Sequence, residues 1–288
     1  MLELSVVIPC LNAEKTIENQ LEAMISQEWS QPWELIIADN SSTDNTLNII
    51  QKYQNIASHI RIVNASSKPG AGYARNAGAK AACSESLAFC DADDVVHPGW
   101  VTAMGEALIK YDYVGGRNEH LKLNDSWIVK TYSSPGEDGV FFEHPYLPLV
   151  SGSNFGIKRS LHESIGGFDE NLMILEDVDY SWRLQEAGIK VHEIETAIIH
   201  FRFRNSILSI CRRAWAMGCY EARLYQKHLP MGIPQLISWK TLVKTAIMSP
   251  WWFLSQVRDK VTLAKYLMDL SWRAGQLQGC IKYKYLPF

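Results

Sequence analysis

Nowhere in this 288-residue sequence does an apolar run reach the roughly 18–20 residues that a helix needs to cross a bilayer, although 47% of the residues are hydrophobic. The six cysteines (Cys10, Cys83, Cys90, Cys211, Cys219 and Cys280) form no CxxC pair, and His and Cys nowhere cluster at ligand spacing. Both absences argue against a zinc site. No secretory signal precedes Leu2-Glu3-Leu4, so the thiols are expected to be reduced, in a cytoplasmic protein. Neither GxGxxG nor GxxxxGK[ST] occurs, which disfavours an ordinary dinucleotide site and a P-loop. Acidic residues are nearly missing from the end of the chain. Residues 200–288 hold three Asp+Glu against 14 Lys+Arg, a net of +11, whereas residues 1–199 hold 28 against 14, a net of −14. The overall charge of −3 hides this split, which points to an anionic partner for the tail.

What is present is an alternation of short apolar runs and helical patterns, in a chain long enough for one large domain or a domain with an appendage. Residues 4–9 form a β-branched run stopped by Pro9, hence a buried strand. Ile17, Leu21, Met24 and Ile25 give residues 13–27 helical spacing, with Asn12 able to cap. Residues 33–38 predict a second strand, ending in the cap-rich turn 39–44 and a helix over 45–53. Residues 60–63 and 86–89 predict two more strands, with a helix over 73–82 between them. Such βαβ order implies a mainly parallel sheet flanked by helices.

The middle of the chain is less regular. Residues 113–116 and 127–130 are expected as strands, 133–139 as a loop, and 150–157 as a strand whose small residues admit a ligand near the backbone. A helical turn over 158–165, a helix over 178–187 closed by Gly188, and edge strands at 190–194 and 197–200 complete this part.

In parallel sheets, ligands sit at the carboxyl ends of the strands. Three polar clusters fall at those ends: residues 9–14, 39–44 and 91–94. The turn Asp91-Ala92-Asp93-Asp94 offers closely spaced carboxylates, the hard oxygen ligands that Mg²⁺ or Mn²⁺ prefers and shares with phosphates. A solvated acidic turn or a helix N-cap is the competing reading.

Six blocks then stand in order: Val6-Val7-Ile8-Pro9-Cys10-Leu11-Asn12-Ala13-Glu14, Asp39-Asn40-Ser41-Ser42-Thr43-Asp44, Ala74-Arg75-Asn76-Ala77-Gly78, Asp91-Ala92-Asp93-Asp94, Gly166-Gly167-Phe168-Asp169-Glu170 and Glu176-Asp177-Val178-Asp179. Together they resemble the family 2 glycosyltransferases of the GT-A fold, over roughly residues 3–205. The family is inverting and metal-dependent. The resemblance implies a GT-A catalytic domain over 1–205, with a nucleotide-binding half at about 1–98 and an acceptor half at about 99–205. A basic helical region, 206–288, follows.

The resemblance also implies roles. Asp39 would accept from a uracil-like base, with Pro9, Asn12 and Glu14 lining the nucleotide pocket. Arg75 would contact the base or the diphosphate, and Asp91 would lie near ribose and metal. Asp93 would be the principal ligand of Mn²⁺ or Mg²⁺, joined by His200. Asp177 would be the general base, favoured over Glu176 by motif register. Gly152, Ser153, Asn154 and Glu176 would shape the donor and acceptor pocket. Bland readings stand beside these. Asp39 could cap the next helix, Asp94 is expected to cap or bridge, and His200 could be a satisfied histidine at a strand end. Gly152, Ser153 and Asn154 could mark only a tight crossing, and Arg183 could pair with Glu186 or reach a phosphate.

The expected function is transfer of a sugar from a nucleotide-diphosphate sugar, UDP-linked by preference, to a saccharide or lipid-linked saccharide in envelope or exopolysaccharide synthesis. The rivals are a sugar-1-phosphate nucleotidyltransferase, whose Gly-rich signature is missing, and a non-catalytic transferase-like binding protein.

In the tail, Leu236, Trp239, Leu242, Val243, Ala246 and Ile247 recur at helical spacing beside Lys240 and Lys244 until Pro250. Trp252, Val257, Val261, Ala264, Leu267 and Ala274 suggest a second helix, carrying Arg258, Lys260, Lys265 and Arg273. Basic amphipathic helices edged with Trp suit an anionic membrane surface, hence a peripheral position on the inner face of the cytoplasmic membrane. A helical subdomain packing on the core or on a partner is the alternative. Nucleic acid is disfavoured, because no recognised module accompanies the charge.

Overall fold

The computed structural model describes residues 2–132, 139–235 and 237–285. They fall into two compact units: Met1–Lys122 with Asp138–Arg202, and Leu123–Glu137 with Phe203–Phe288.

The first unit begins β1 (Leu4–Cys10), α1 (Ile17–Ile25), β2 (Trp33–Asp39), α2 (Thr46–Ile56), β3 (Ile60–Asn64), α3 (Ala71–Ala81), β4 (Ser86–Cys90). After the acidic turn come β5 (Val95–Val96), α4 (Trp100–Lys110) and β6 (Tyr113–Glu119). The second unit interrupts with α5 (Ser126–Tyr132). The first unit resumes with β7 (Phe141–Phe142), β8 (Leu149–Val150), β9 (Asn154–Lys158), α6 (Arg159–Ser164), α7 (Glu176–Glu186) and β10 (His192–His200). Eight strands form one sheet in the order β3-β2-β1-β4-β9-β6-β10-β5, and β7 pairs with β8 apart from it. Four ladders of the large sheet are parallel and three antiparallel, so the sheet is mixed, as expected.

Alternation along each strand explains the two cores. Leu4, Val6 and Ile8 face one side with Leu35 and Ile37, under Ile17, Leu21 and Met24 of α1 and Trp100 and Met104 of α4. Val7, Ile36, Leu87 and Phe89 face the other side with Phe155, Phe168 and Tyr180. Each such fully buried side chain stabilises the fold by roughly 1.5–3 kcal/mol. The chain runs from β1 to β2 on one side of β1 and later returns to β4 on the other. Where the strand order reverses, the carboxyl ends of the strands are the place where a ligand crevice is expected in such sheets.

The structure corrects several expectations. Residues 127–130 are helical, in α5, not a strand. Their β-branched content favoured a strand, but packing overrode it: Ile128 and Thr131, three apart, face inward on one helical side, and Lys260 caps the Trp127 ring at 3.5 Å. That segment therefore belongs with the tail, although it was expected within the first domain. Residues 150–157 are split, because Ser151, Gly152 and Ser153 turn between β8 and β9. The two expected edge strands are one strand, β10, lying between β6 and β5, with a register shift between Ile194 and Ile198. The loop expected at 133–139 lies outside the described residues, except for Gly139.

The second unit continues with α8 (Ile207–His228), a 3-10 turn (Leu229–Met231), α9 (Trp239–Gln256) and α10 (Lys260–Tyr283). Pro250 was expected to end its helix, but it lies within α9. The C=O of Ala246 that loses its donor is on an exposed stretch, where water serves instead. Leu236 lies outside the described residues. Helices α8 and α10 meet so closely at Gly275 that a Cβ there would run into the Trp215 carbonyl oxygen. Beside this crossing the buried Glu221 carboxylate accepts from Trp272 Nε1 at 2.8 Å, Gln276 Nε2 at 2.6 Å and the Tyr225 hydroxyl at 2.5 Å.

Candidate active site

The three polar clusters meet at the carboxyl ends of β1, β2 and β4, which are neighbours in the sheet. Loops after β1 and β2 are stitched to each other. Asn12, at φ 49°, donates its N–H to Ser42 Oγ at 3.0 Å and accepts from the Thr43 N–H at 2.8 Å. Glu14 accepts from the Asn45 N–H at 3.1 Å, and its own N–H donates to Asp44 at 3.2 Å. Asn12 and Glu14 thus tie the loop after β1 to the loop that leads into α2. Pro9 pairs with Ala38 in the β1–β2 ladder. Asp39, 8% exposed, accepts from the Ser42 N–H at 3.3 Å. That bond closes the loop after β2 and is not a cap, since α2 begins at Thr46. The Cys10 thiol nearby is pushed up to about 12 by burial and then by Asp39, Asp44 and Asp93.

Asp91, Asp93 and Asp94 each place an oxygen within 4.8 Å of the others. The turn is pinned from several sides. Gln20 Nε2 donates to the Asp91 carbonyl at 3.1 Å, and Gln20 Oε1 accepts from the Val96 N–H at 3.0 Å. Arg202 donates its backbone N–H to Asp94 Oδ1 at 2.7 Å and its Nε to the Asp93 carbonyl at 2.8 Å. Asp94 therefore bridges, as expected. It is 1% exposed, and its Oδ2 has no hydrogen-bond partner. Burial first, then Asp93 and Asp91, push its carboxyl well above the usual range. Three convergent hard oxygen donors and one orphaned carboxylate oxygen fit a divalent cation such as Mn²⁺ or Mg²⁺.

Across the crevice, Leu175 at φ 66° starts α7 abruptly, so Glu176 and Asp177 stand at its first turn. Arg75, on α3, joins the two sides. Its Nη2 donates to Asp91 at 2.8 Å and its Nη1 to Glu176 at 2.8 Å, while its carbon lies 5.4 Å from the Phe168 ring centre. The guanidinium is 3% exposed and clasped by carboxylates instead of open to an incoming diphosphate. Burial, with Asp177 adding and Arg75 opposing, pushes the Glu176 carboxyl up to about 7. Asp177, half-buried, accepts from the Gly152 N–H at 3.1 Å. A Cβ at Gly152 would lie 2.7 Å from that of Asp177, so the glycine is what allows the approach.

Other expected site residues turn out differently placed. Asn154 is 0% exposed and wholly engaged: Oδ1 accepts from Trp100 Nε1 at 2.8 Å, and Nδ2 donates to the Arg117 and Ala197 carbonyls. It braces the sheet and does not line a pocket. Ser153, 2% exposed, bonds Ser151 within the turn at 2.8 Å. His200 has Nδ1 at 2.8 Å from Glu119 and Nε2 at 3.1 Å from Lys122 Nζ, so both ring nitrogens are engaged. Burial raises the Glu119 carboxyl, but bonds from His200 and the Leu121 and Lys122 N–H groups outweigh it and hold the carboxyl below its usual range. Arg183 binds neither Glu186 nor an open site. It pairs with Asp179 at 2.7 Å and donates to the Ile165 and Gly167 carbonyls. Gln20 was missed, although a polar residue on the apolar stripe of Ile17, Leu21 and Met24 is a visible signal.

Comparison with known proteins agrees with this geometry. The family profile "Glycosyl transferase family 2" matches residues 5–166, and "Glycosyl transferase family group 2" matches residues 88–275. The chain is 33% identical over 131 residues to WfgD of Escherichia coli, a UDP-Glc:alpha-D-GlcNAc-diphosphoundecaprenol beta-1,3-glucosyltransferase, covering 46% of this chain and 51% of WfgD. It spans 27% and 35% of two other curated relatives. Among solved structures it resembles the mannosyltransferase PcManGT from Pyrobaculum calidifontis, in complex with GDP-Man and Mn²⁺ (TM-score 0.63, 16% identity, 97% of this chain and 87% of that one). It also resembles residues 1–349 of S. aureus TarS in complex with UDP-GlcNAc (TM-score 0.58, 16% identity, 99% and 92%).

Proposed function

The chain belongs to glycosyltransferase family 2, and from that premise we propose that it moves a sugar, with inversion, from a nucleotide-diphosphate sugar to an acceptor hydroxyl. The observation that carries this reading is the Arg75 clasp. One buried guanidinium holds both Asp91 of the acidic turn and Glu176 beside Asp177, so the acidic turn and the start of α7 lie within one side chain of each other.

In this reading Asp177 removes the acceptor proton. Its Oδ2 is oriented by the Gly152 N–H, and a carboxylate base needs only hydrogen-bond reach to the hydroxyl. Glu176, tied to Arg75, is the lesser candidate for base. Asp91 and Asp93, with Asp94 behind them, would hold Mn²⁺ or Mg²⁺. When bound, the ion supplies positive charge to the departing diphosphate. Gln20 and Arg202 keep the turn that carries those carboxylates in place. Asp39 reads the base at the rim that Asn12 and Glu14 support. One base on one side and a stabilised leaving group on the other imply a single displacement, hence inversion.

UDP-linked donors and lipid-linked or polymeric saccharide acceptors are the proposed substrates, supported by WfgD's own donor and acceptor and by the UDP-GlcNAc bound to TarS. The work belongs to envelope or exopolysaccharide synthesis, and we place it peripherally on the inner face of the cytoplasmic membrane. The test is nucleotide release from a panel of UDP-sugars with and without EDTA. Release that persists in Asp93→Ala and Asp177→Asn at the wild-type rate sinks the assignment.

A further inference from the structure

Helix α9 leaves an apolar stripe uncovered. Val243, Ile247, Trp251 and Leu254 recur at the spacing of one helical stripe, and they are 52, 69, 59 and 72% exposed. The side that packs inward carries Thr245 and Ser249 along with half-buried Leu242, Met248 and Trp252. Thr245 is the only buried residue of α9, and Ser249 Oγ lies 2.6 Å from the Tyr266 hydroxyl of α10. An amphipathic helix ordinarily buries its apolar stripe and wets its polar one. Of the 19 large hydrophobics exposed among the described residues, 12 lie in residues 203–285, and six of those 12 are on α9.

Within α9 the charge has one sign, and the next acidic residue, Asp259, is spent capping α10. Residues 239–256 contain Lys240 and Lys244 and no Asp or Glu, and Arg258 follows. Exposed Trp239 stands at the start of the helix and Trp251 near its end. No helix among the described residues is long and apolar enough to cross a membrane. An uncompensated apolar stripe, flanked by Lys and edged by Trp, fits the boundary between acyl chains and anionic headgroups. We propose that α9 is an in-plane membrane anchor. It seats Val243, Ile247, Trp251 and Leu254 at the acyl boundary of an anionic bilayer, with Lys240, Lys244 and Arg258 on lipid phosphates. The proposal rests on the peripheral-membrane reading above and names the surface that performs it.

The test uses the full chain and vesicle flotation. Vesicles of equal parts phosphatidylcholine and phosphatidylglycerol should float the wild-type protein at low salt, and vesicles of phosphatidylcholine alone should float it poorly. Lys240→Gln/Lys244→Gln should weaken the partition roughly 30-fold, at about fivefold per basic residue. Trp251→Glu/Leu254→Glu should abolish flotation while nucleotide release in detergent-free solution stays at the wild-type rate. No flotation at low salt overturns the proposal, and so does flotation that survives Trp251→Glu/Leu254→Glu. So does a solution dimer that this double variant dissolves without any vesicle binding, because the stripe is then an interface between copies. If flotation behaves as described but nucleotide is never released, the anchor stands and the transferase reading falls.

Discussion

Two buried glutamates, each held by an arginine, stand at opposite ends of the first unit's sheet, and their carboxyls are pushed in opposite directions. Glu34, at the amino end, is 4% exposed, and Glu176, by the carboxyl ends, is 7% exposed. Burial raises both. Glu34, however, accepts from Ser5 Oγ at 2.7 Å, the Cys83 N–H at 2.6 Å, and Arg61 Nε and Nη2 at 2.8 and 2.6 Å. Those donors win and hold its carboxyl below the usual range. Glu176 shares its single arginine with Asp91 and has Asp177 next to it, so it is pushed up to about 7. A carboxylate given enough donors becomes a fixed strut. One that competes for its cation stays poised, and poised groups mark functional sites.

That contrast can be broken at either end. The largest effect should come from the crevice. Asp93→Ala and Asp177→Asn each should lower nucleotide release by about 10²–10⁴-fold, with melting points close to wild type. A matching collapse in stability would mean that these carboxylates are struts too.

Arg75→Met comes next. It frees the part-exposed Asp91 and leaves Glu176 uncompensated in a buried place, which costs about 3–5 kcal/mol, read as a lower denaturant midpoint. An unchanged midpoint would show that the clasp is not what joins the two sides.

Glu34→Ala should cost less, about 2–3 kcal/mol, because the Arg61 side chain is 42% exposed and can hydrate once freed. Its activity per folded molecule should equal wild type.

The smallest effect is a pH slope. Between about 4.5 and 7 the folded chain keeps the Glu176 proton while the unfolded chain releases it. The folded state then binds more protons, so stability falls as pH rises through that window, by about 3 kcal/mol at most, and the loss is complete above it. Glu176→Gln should flatten this part of the stability–pH curve. A slope that remains after the substitution assigns it to another group.

Much of this was legible before any coordinates, and for local reasons. Strands β1, β2 and β4 announce themselves by buried apolar runs that end in Pro9, Asp39 and Asp91, and a run stopped by polar turn residues has few other conformations. What was illegible depended on partners far along the chain. Trp127 to Lys130 have strand propensity and became helix because α10 supplied a surface for them. Asn154 looked like a pocket residue because it is polar and follows small residues, yet three distant groups consume its amide. Arg75 was expected to contact the base or the diphosphate, whereas Asp91 and Glu176, 16 and 101 residues away, clasp it.

By itself the sequence determined the alternation of elements, the carboxylates at the strand ends and the basic tail, because spacing, capping and charge are properties of neighbouring residues. Only the tertiary structure decided which polar groups remain available at the crevice and which are spent on the scaffold. It also decided that α9 turns its apolar stripe outward. Both depend on which distant side chains arrive as partners, and a buried polar group or an apolar face has no assigned role until its partner is in place.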